Sequence, residues 1–133
     1  MRTTRLLAAS ALGAMSLGAA AAQADTMHPQ LGARLSGMGE HGVVNLRSNT
    51  GTGKLCWTFD VATKGITGAS IRDAAGMVVA KLGTGYHPKA CASVSAKALG
   101  LIDAKPRSYS VWLDTKGHPG DLRGKLFAGM AHM

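Results

Sequence analysis

Aromatic side chains are scarce in this sequence, where two Trp, two Tyr and two Phe make up 5% of 133 residues. The basic excess is moderate, with 15 Lys and Arg against 7 Asp and Glu, and no block of like charge occurs. Proteins that bind single-stranded nucleic acid use aromatic platforms along a continuous basic groove. The composition therefore argues against a nucleic-acid partner. It predicts a solvated surface or weak attraction to an anionic polysaccharide, envelope or membrane face.

Recognisable catalytic motifs are also missing. The serines form no G-x-S-x-G elbow, and Gly51-Thr52-Gly53 lacks the Lys-Ser/Thr pair and the following helix of a phosphate loop. A nucleophile requires a base and an orienting group within reach, and the sequence nominates no such set. We therefore expect a protein that is not an enzyme, with no cofactor and no catalytic residues.

A long apolar run occurs only at the N-terminus. Arg2 and Arg5 precede the uncharged run 6–22, and Ala22-Gln23-Ala24 is an A-x-A cleavage site. These features predict a signal peptide over residues 1–24 and one exported domain, periplasmic or secreted, over residues 25–133. A membrane anchor is the alternative, but the run ends at a cleavage site rather than a charge cluster. No later segment is apolar enough to span a bilayer.

The sequence contains only two cysteines, Cys56 and Cys91. Two cysteines in an exported protein predict one disulfide bond. A pair of buried free thiols is the alternative, and a metal pair is disfavoured because neither cysteine belongs to a C-x-x-C motif.

Short segments with alternating apolar residues dominate the remaining chain. In residues 54–61, Leu55, Trp57 and Phe59 share one face, so we expect both aromatic side chains in the core. Other short apolar runs at 31–37, 43–46, 69–72, 77–82 and 90–94 are separated by turns, most of them rich in Gly. Only residues 95–103, with Ser95 as a candidate cap, have helical spacing. The pattern predicts an all-β fold, an antiparallel β-sandwich or barrel with one short helical segment.

The segment 108–127 is the clearest candidate hairpin. Tyr109, Val111 and Leu113 alternate with polar residues and Trp112, and residues 115–121 are dense in turn formers. On the returning strand Leu122, Gly124 and Leu126 share one face, and Arg123, Lys125 and Phe127 share the other. We expect Gly124 to permit a close backbone approach and Arg123 to reach Asp114 or Asp121.

Several of these motifs together resemble a known family. Leu35-Ser36-Gly37, the segment GKLCWTF at 53–59 and the segment HPGDLRGKL at 118–126 resemble the opening and closing signatures of the chordin-type (CHRD) domain. The resemblance covers essentially all of residues 25–133. It implies an immunoglobulin-like β-sandwich or barrel in a small exported microbial protein, and it carries over no established activity.

Two stretches depart from the family pattern. Residues 69–76 read ASIRDAAG where members usually have His-x-His before a Gly, and residues 112–115 read WLDT where they usually have Asn-x-His-Thr. Imidazoles are the commonest metal ligands, so a family metal set, if one exists, is lost here. One hypothesis places an ion pair between Arg72 and Asp114 in this region, and two independent surface charges are the alternative.

Two functions are compatible with the sequence. The first is a non-catalytic binding or structural module whose partner is an envelope or extracellular protein or glycan. The second is copper handling, because thioether and imidazole ligands suit copper and methionines lie near histidines towards both chain ends. The residues concerned are Met27, His28, Met38, His41, Met130, His132 and Met133.

Overall fold

The computed structural model of the chain describes residues 30–116 and 118–132, so the predicted signal peptide, residues 1–24, lies outside the described residues. The described part contains eight strands, one α-helix and one 3-10 helix. In chain order these are β1 (Gln30–Gly37), β2 (Glu40–Asn49), β3 (Lys54–Val61), β4 (Ile66–Arg72), β5 (Val78–Lys81), β6 (Lys89–Ser93), α1 (Ala96–Ala104), the 3-10 helix (Pro106–Ser108), β7 (Ser110–Thr115) and β8 (His118–Ala128).

All eight strands belong to one curled antiparallel sheet that forms a half-barrel. Its strand order is β5-β4-β7-β8-β1-β2-β3-β6. Successive hairpins place β1, β2 and β3 side by side, and β8 pairs with β7 on one side and β1 on the other. The predicted all-β fold with one short helix is confirmed, and the strands form one continuous sheet.

The core lies on the concave face of this sheet, where alternate residues of each strand are buried. Trp57 and Phe59 on β3, Val111 on β7, and Leu122 and Leu126 on β8 are each at most 6% exposed. Because side chains alternate between faces, the residues between them point outward. The same strands therefore supply both the core and the outer surface.

Helix α1 packs against this core. Its N-terminus is capped by the Ser95 hydroxyl, which accepts a hydrogen bond from the Ala98 N–H at 3.1 Å. Leu99 and Ile102 are buried, and Tyr109, just after the 3-10 helix, is half-buried against the core. The helix predicted at 95–103 is present with its first turn one residue later.

The loop between β5 and β6 connects the two edge strands of the sheet. The Trp57 indole N–H donates to the carbonyl of His87 at 2.8 Å, and the Phe59 N–H donates to the carbonyl of Pro88 at 2.7 Å. The rings of Phe59 and Tyr86 are 5.5 Å apart, and burial raises the pKa of Tyr86. These contacts hold the loop against β3, so that the loop links the two edges of the curled sheet.

The predicted disulfide bond between Cys56 and Cys91 is present. The two residues are directly opposite each other on β3 and β6, with their Cα atoms 4.0 Å apart. Their sequence separation is 35, for which loop entropy gives a stabilisation of about 4 kcal/mol. The bond fastens the edge strand β6 on the outer face of the sheet.

The turn of the closing hairpin is shorter than the turn formers at 115–121 indicated. Thr115 pairs with His118, so Pro119 is the second residue of β8. The pairing of β8 with β1 begins only at Arg123, after Pro119, so residue 119 need not donate an N–H to β1. A proline is therefore tolerated at this position. Where the β7–β8 ladder is irregular, the Asp114 carboxylate accepts the Gly120 N–H at 2.7 Å.

Gly124 lies where β8 closely approaches β1. A Cβ atom added at this position would overlap the carbonyl group of Arg34. The approach coincides with a gap in the β1–β8 pairing between Ala33↔Leu126 and Ser36↔Arg123. Only glycine allows the two backbones to come together here without a shift.

We expect Gly124→Ala to lower the free energy of unfolding by about 1–3 kcal/mol, because the strands must separate to accept the methyl group. The measurement is denaturant unfolding of the disulfide-bonded protein. Gly100→Ala is the matched control, because Gly100 is exposed in α1 and a methyl group added there would meet no atom within 4 Å. It should raise stability by about 0.5–1 kcal/mol. Equal effects of the two substitutions would contradict the close approach.

Candidate functional site

Two neighbouring rows of outward side chains cross β4, β7 and β8. In each row the strand pairing places three residues opposite one another. The rows are Ser70–Trp112–Arg123 and Arg72–Ser110–Lys125.

Trp112 lies between two arginines. The Arg72 Cζ is 4.3 Å from the ring centroid, and the Arg123 Cζ is 4.0 Å from it. Because β4 and β8 flank β7, the two guanidinium groups approach the indole from both sides. The indole N–H donates to the Ser110 hydroxyl at 3.0 Å, which fixes the ring. A cation–π contact of this kind contributes about 0.5–1 kcal/mol at an exposed site.

Hydrogen bonds hold both guanidinium groups in place. Arg72 donates from Nε to the Ser70 hydroxyl and from Nη1 to the carbonyl of Gly76, each at 3.2 Å. Arg123 donates from Nε to the carbonyl of Gly120 at 3.3 Å. A guanidinium carries five N–H donors, so both arginines retain donors for a ligand.

An open cavity of about 600 Å³ lies over these rows. Its lining includes the cationic side chains Arg107, Arg123 and Lys125 and one carboxylate, Asp73. The Asp73 carboxylate accepts the N–H groups of Ala75 and Met77, at 2.9 and 3.0 Å, and so orders the β4–β5 turn. The positive charges exceed the negative charge, so the cavity favours an anion.

The predicted ion pair between Arg72 and Asp114 is wrong. Strand pairing places Arg72 opposite Ser110 and Asp114 opposite Gly68. The two residues are thus separated by four residues along the strands, about 13 Å. Arg72 instead stacks on Trp112, and Asp114 binds the N–H of Gly120.

Arg123 likewise does not reach Asp114 or Asp121. It stacks on Trp112 directly across the hairpin, and its Nε donates to the carbonyl of Gly120. Asp121 accepts a hydrogen bond from the Thr115 hydroxyl. The expected charge pairing is wrong because both guanidinium groups stack on Trp112, while Asp114 and Asp121 are engaged by Gly120 and Thr115. The sequence contains one signal for this site. Trp112 lies on the outward face of its strand, and the returning strand carries Arg123 and Lys125 on its outward face.

The histidines and methionines near the chain ends are only partly brought together. His41 and His132 line one cavity of about 440 Å³ together with Arg34, whose Nε donates to the carbonyl of His132 at 3.4 Å. Met130 lines a different cavity, beside the disulfide. Within residues 30–116 and 118–132, no three His, Cys, Asp or Glu residues are grouped to hold a metal. Met27, His28 and Met133 lie outside the described residues.

The chain matches no protein-family model, no curated protein and no solved structure. Among the helices in the described part, none has the length and apolar character needed to cross a membrane. Function must therefore be inferred from the residues of this chain.

The stack can be measured by a double-mutant cycle on Trp112→Leu and Arg123→Gln. We expect a coupling of about 0.5–1 kcal/mol in the free energy of unfolding, because each substitution removes the same cation–π contact. The control cycle uses Lys64→Gln in place of Arg123→Gln, because Lys64 is an exposed lysine in the loop before β4. In this cycle the two changes in the free energy of unfolding should be additive. Additivity in both cycles would show that the contact contributes nothing.

Proposed function

We propose that this chain is an exported, non-catalytic binding module that holds an anionic ligand of the envelope or extracellular space in the cavity over Trp112. The observation that carries the proposal is the stacking of Arg123, which lines this cavity, on the Trp112 ring, on which Arg72 also stacks. The closing motif and the all-β fold support assignment to a CHRD-like domain.

Immobilised arginines are suited to binding anions. The planar guanidinium matches the geometry of a carboxylate, sulfate or phosphate and can form two parallel hydrogen bonds to it. A free arginine loses rotamer entropy on binding, whereas Arg123 in the cavity lining is already held by Trp112 and by its hydrogen bond to the carbonyl of Gly120. Arg72 contributes by fixing the same indole ring. The site is thus organised before the ligand arrives.

Two features support the exported location. The N-terminal sequence has the organisation of a signal peptide, and the Cys56–Cys91 disulfide is typical of an oxidising compartment. We propose binding without catalysis because the lining of the cavity supplies donors for an anion, while its carboxylate, Asp73, is engaged by the N–H groups of its own turn.

The test is binding of a galacturonate trimer to disulfide-bonded residues 25–133, measured by calorimetry at low and at physiological salt. We expect Arg123→Gln to weaken binding about tenfold, because a charge-assisted hydrogen bond is lost. The control, Lys64→Gln, removes the same charge outside the cavity and should change affinity less than about twofold. A neutral maltotriose should not bind. Equal weakening by both substitutions, or no binding of the trimer, would overturn the proposal.

Copper handling is the second candidate function. It is favoured by one observation, the presence of His41 and His132, 91 positions apart in the chain, in the same cavity. Imidazole groups suit copper, although the guanidinium of Arg34 in that cavity opposes a cation and its described lining includes no methionine.

This candidate is tested by titration with Cu(I), Cu(II) and Zn(II) against a chelating indicator. If copper is the ligand, we expect binding tighter than about micromolar, lost in His41→Ala and in His132→Ala. His118→Ala is the control, because His118 begins β8 and does not line that cavity. Weaker binding, or equal loss in the control, would exclude a site formed by His41 and His132.

A further inference from the structure

A second depression of about 560 Å³ lies beside the cavity over Trp112, and the two share lining residues of the 3-10 helix. Arg107 and Ser108 line both. The second depression is also lined by Lys105 and Phe127. We call the two together the basic groove.

Strand β8 runs beneath the whole groove. Arg123 and Lys125 line the first cavity and Phe127 lines the second, and these alternate residues are each about 6.7 Å apart. Arg107 lies where the cavities meet, and Lys105 lies beyond it. Arg123 and Phe127 are therefore about 13 Å apart along β8. Four cationic side chains, Arg123, Lys125, Arg107 and Lys105, line the two depressions. A single small anion could contact only part of this series.

The second depression has no carboxylate among its lining residues in the described part of the chain. Asp73, in the β4–β5 turn at the first cavity, is the single acidic residue described along the groove. Cationic side chains thus outnumber carboxylates along both depressions, which favours a ligand with several negative charges.

We propose that the basic groove binds a linear acidic polysaccharide, a glycan chain with carboxylate or sulfate groups on successive sugars. This inference rests on the proposed function and extends it from one anionic group to a polymer. The gain comes from several weak contacts along one chain, each made at high effective concentration after the first.

The groove fits a glycan better than other polyanions. Trp112 is already stacked on Arg72 and Arg123, so its ring does not provide the free aromatic platform that a nucleic-acid base requires. Phe127, half-buried at the far end, offers an apolar surface to the C–H face of a sugar ring. The cations line a concavity, whereas a lipid surface is flat.

The test compares a galacturonate trimer with a dodecamer, and a sulfated oligosaccharide of each length, on disulfide-bonded residues 25–133. The affinity of the dodecamer is divided by the number of positions at which three consecutive sugars can bind. This removes the statistical advantage of the longer chain from the comparison. We expect the dodecamer of at least one series to bind about tenfold tighter than its trimer. Lys105→Gln should reduce this advantage about threefold and leave trimer affinity unchanged. Phe127→Ala should also reduce the length advantage, and its unfolding curve is measured to show whether the variant is folded.

The controls separate the outcomes. Lys64→Gln should preserve the length advantage. If the trimer binds in an Arg123-dependent way but the dodecamer binds no tighter, the polymer inference fails and the proposed function stands. If neither length of either series binds, both fail. Tighter binding of oligo-dT or of anionic lipid vesicles than of any glycan would overturn the choice of a polysaccharide.

Discussion

The pairing of β8 with β1 is the constraint on which the rest of the structure depends. It joins β5, β4 and β7 to β1, β2, β3 and β6, and without it the sheet would separate into two halves with open edges. The two strands come from opposite ends of the described chain, and such a contact is costly in loop entropy. The close approach at Gly124 allows this pairing, because any side chain there would collide with the backbone of β1.

Strand β8 also connects the core to the candidate site. Leu122 and Leu126 face the core, whereas Arg123 and Lys125 face outward, as alternation along a strand requires. The register that buries the leucines therefore also places Arg123 opposite Trp112 on β7. A shift by one residue would bury the cations, so the hydrophobic core keeps the basic groove in position.

Much of the fold could be predicted from local pattern. Three features of the structure are indicated by the sequence: the strand at 54–61, the helix cap at Ser95 and the disulfide bond. The first two depend only on residues that are neighbours in the chain, and the third follows because the chain has only two cysteines. The turn formers at 115–121 predict a longer turn than the structure contains, because a proline is excluded from the middle of a strand but tolerated at its start, where Pro119 lies. The sequence predicts carboxylate partners for Arg72 and Arg123 because charge is visible in a sequence and strand register is not.

The sequence by itself determined the all-β class, the strand faces, the disulfide and the excess of positive charge, since these follow from residue type and from a period of two along a strand. Only the tertiary structure decided which outward residues became neighbours. Arg72, Trp112 and Arg123 belong to three different strands, and their contact depends on the order β4-β7-β8 and on its register. The packing of the 3-10 helix against β8 placed Lys105 and Arg107 near Lys125, which brought charges that are scattered in the sequence to one side of the sheet.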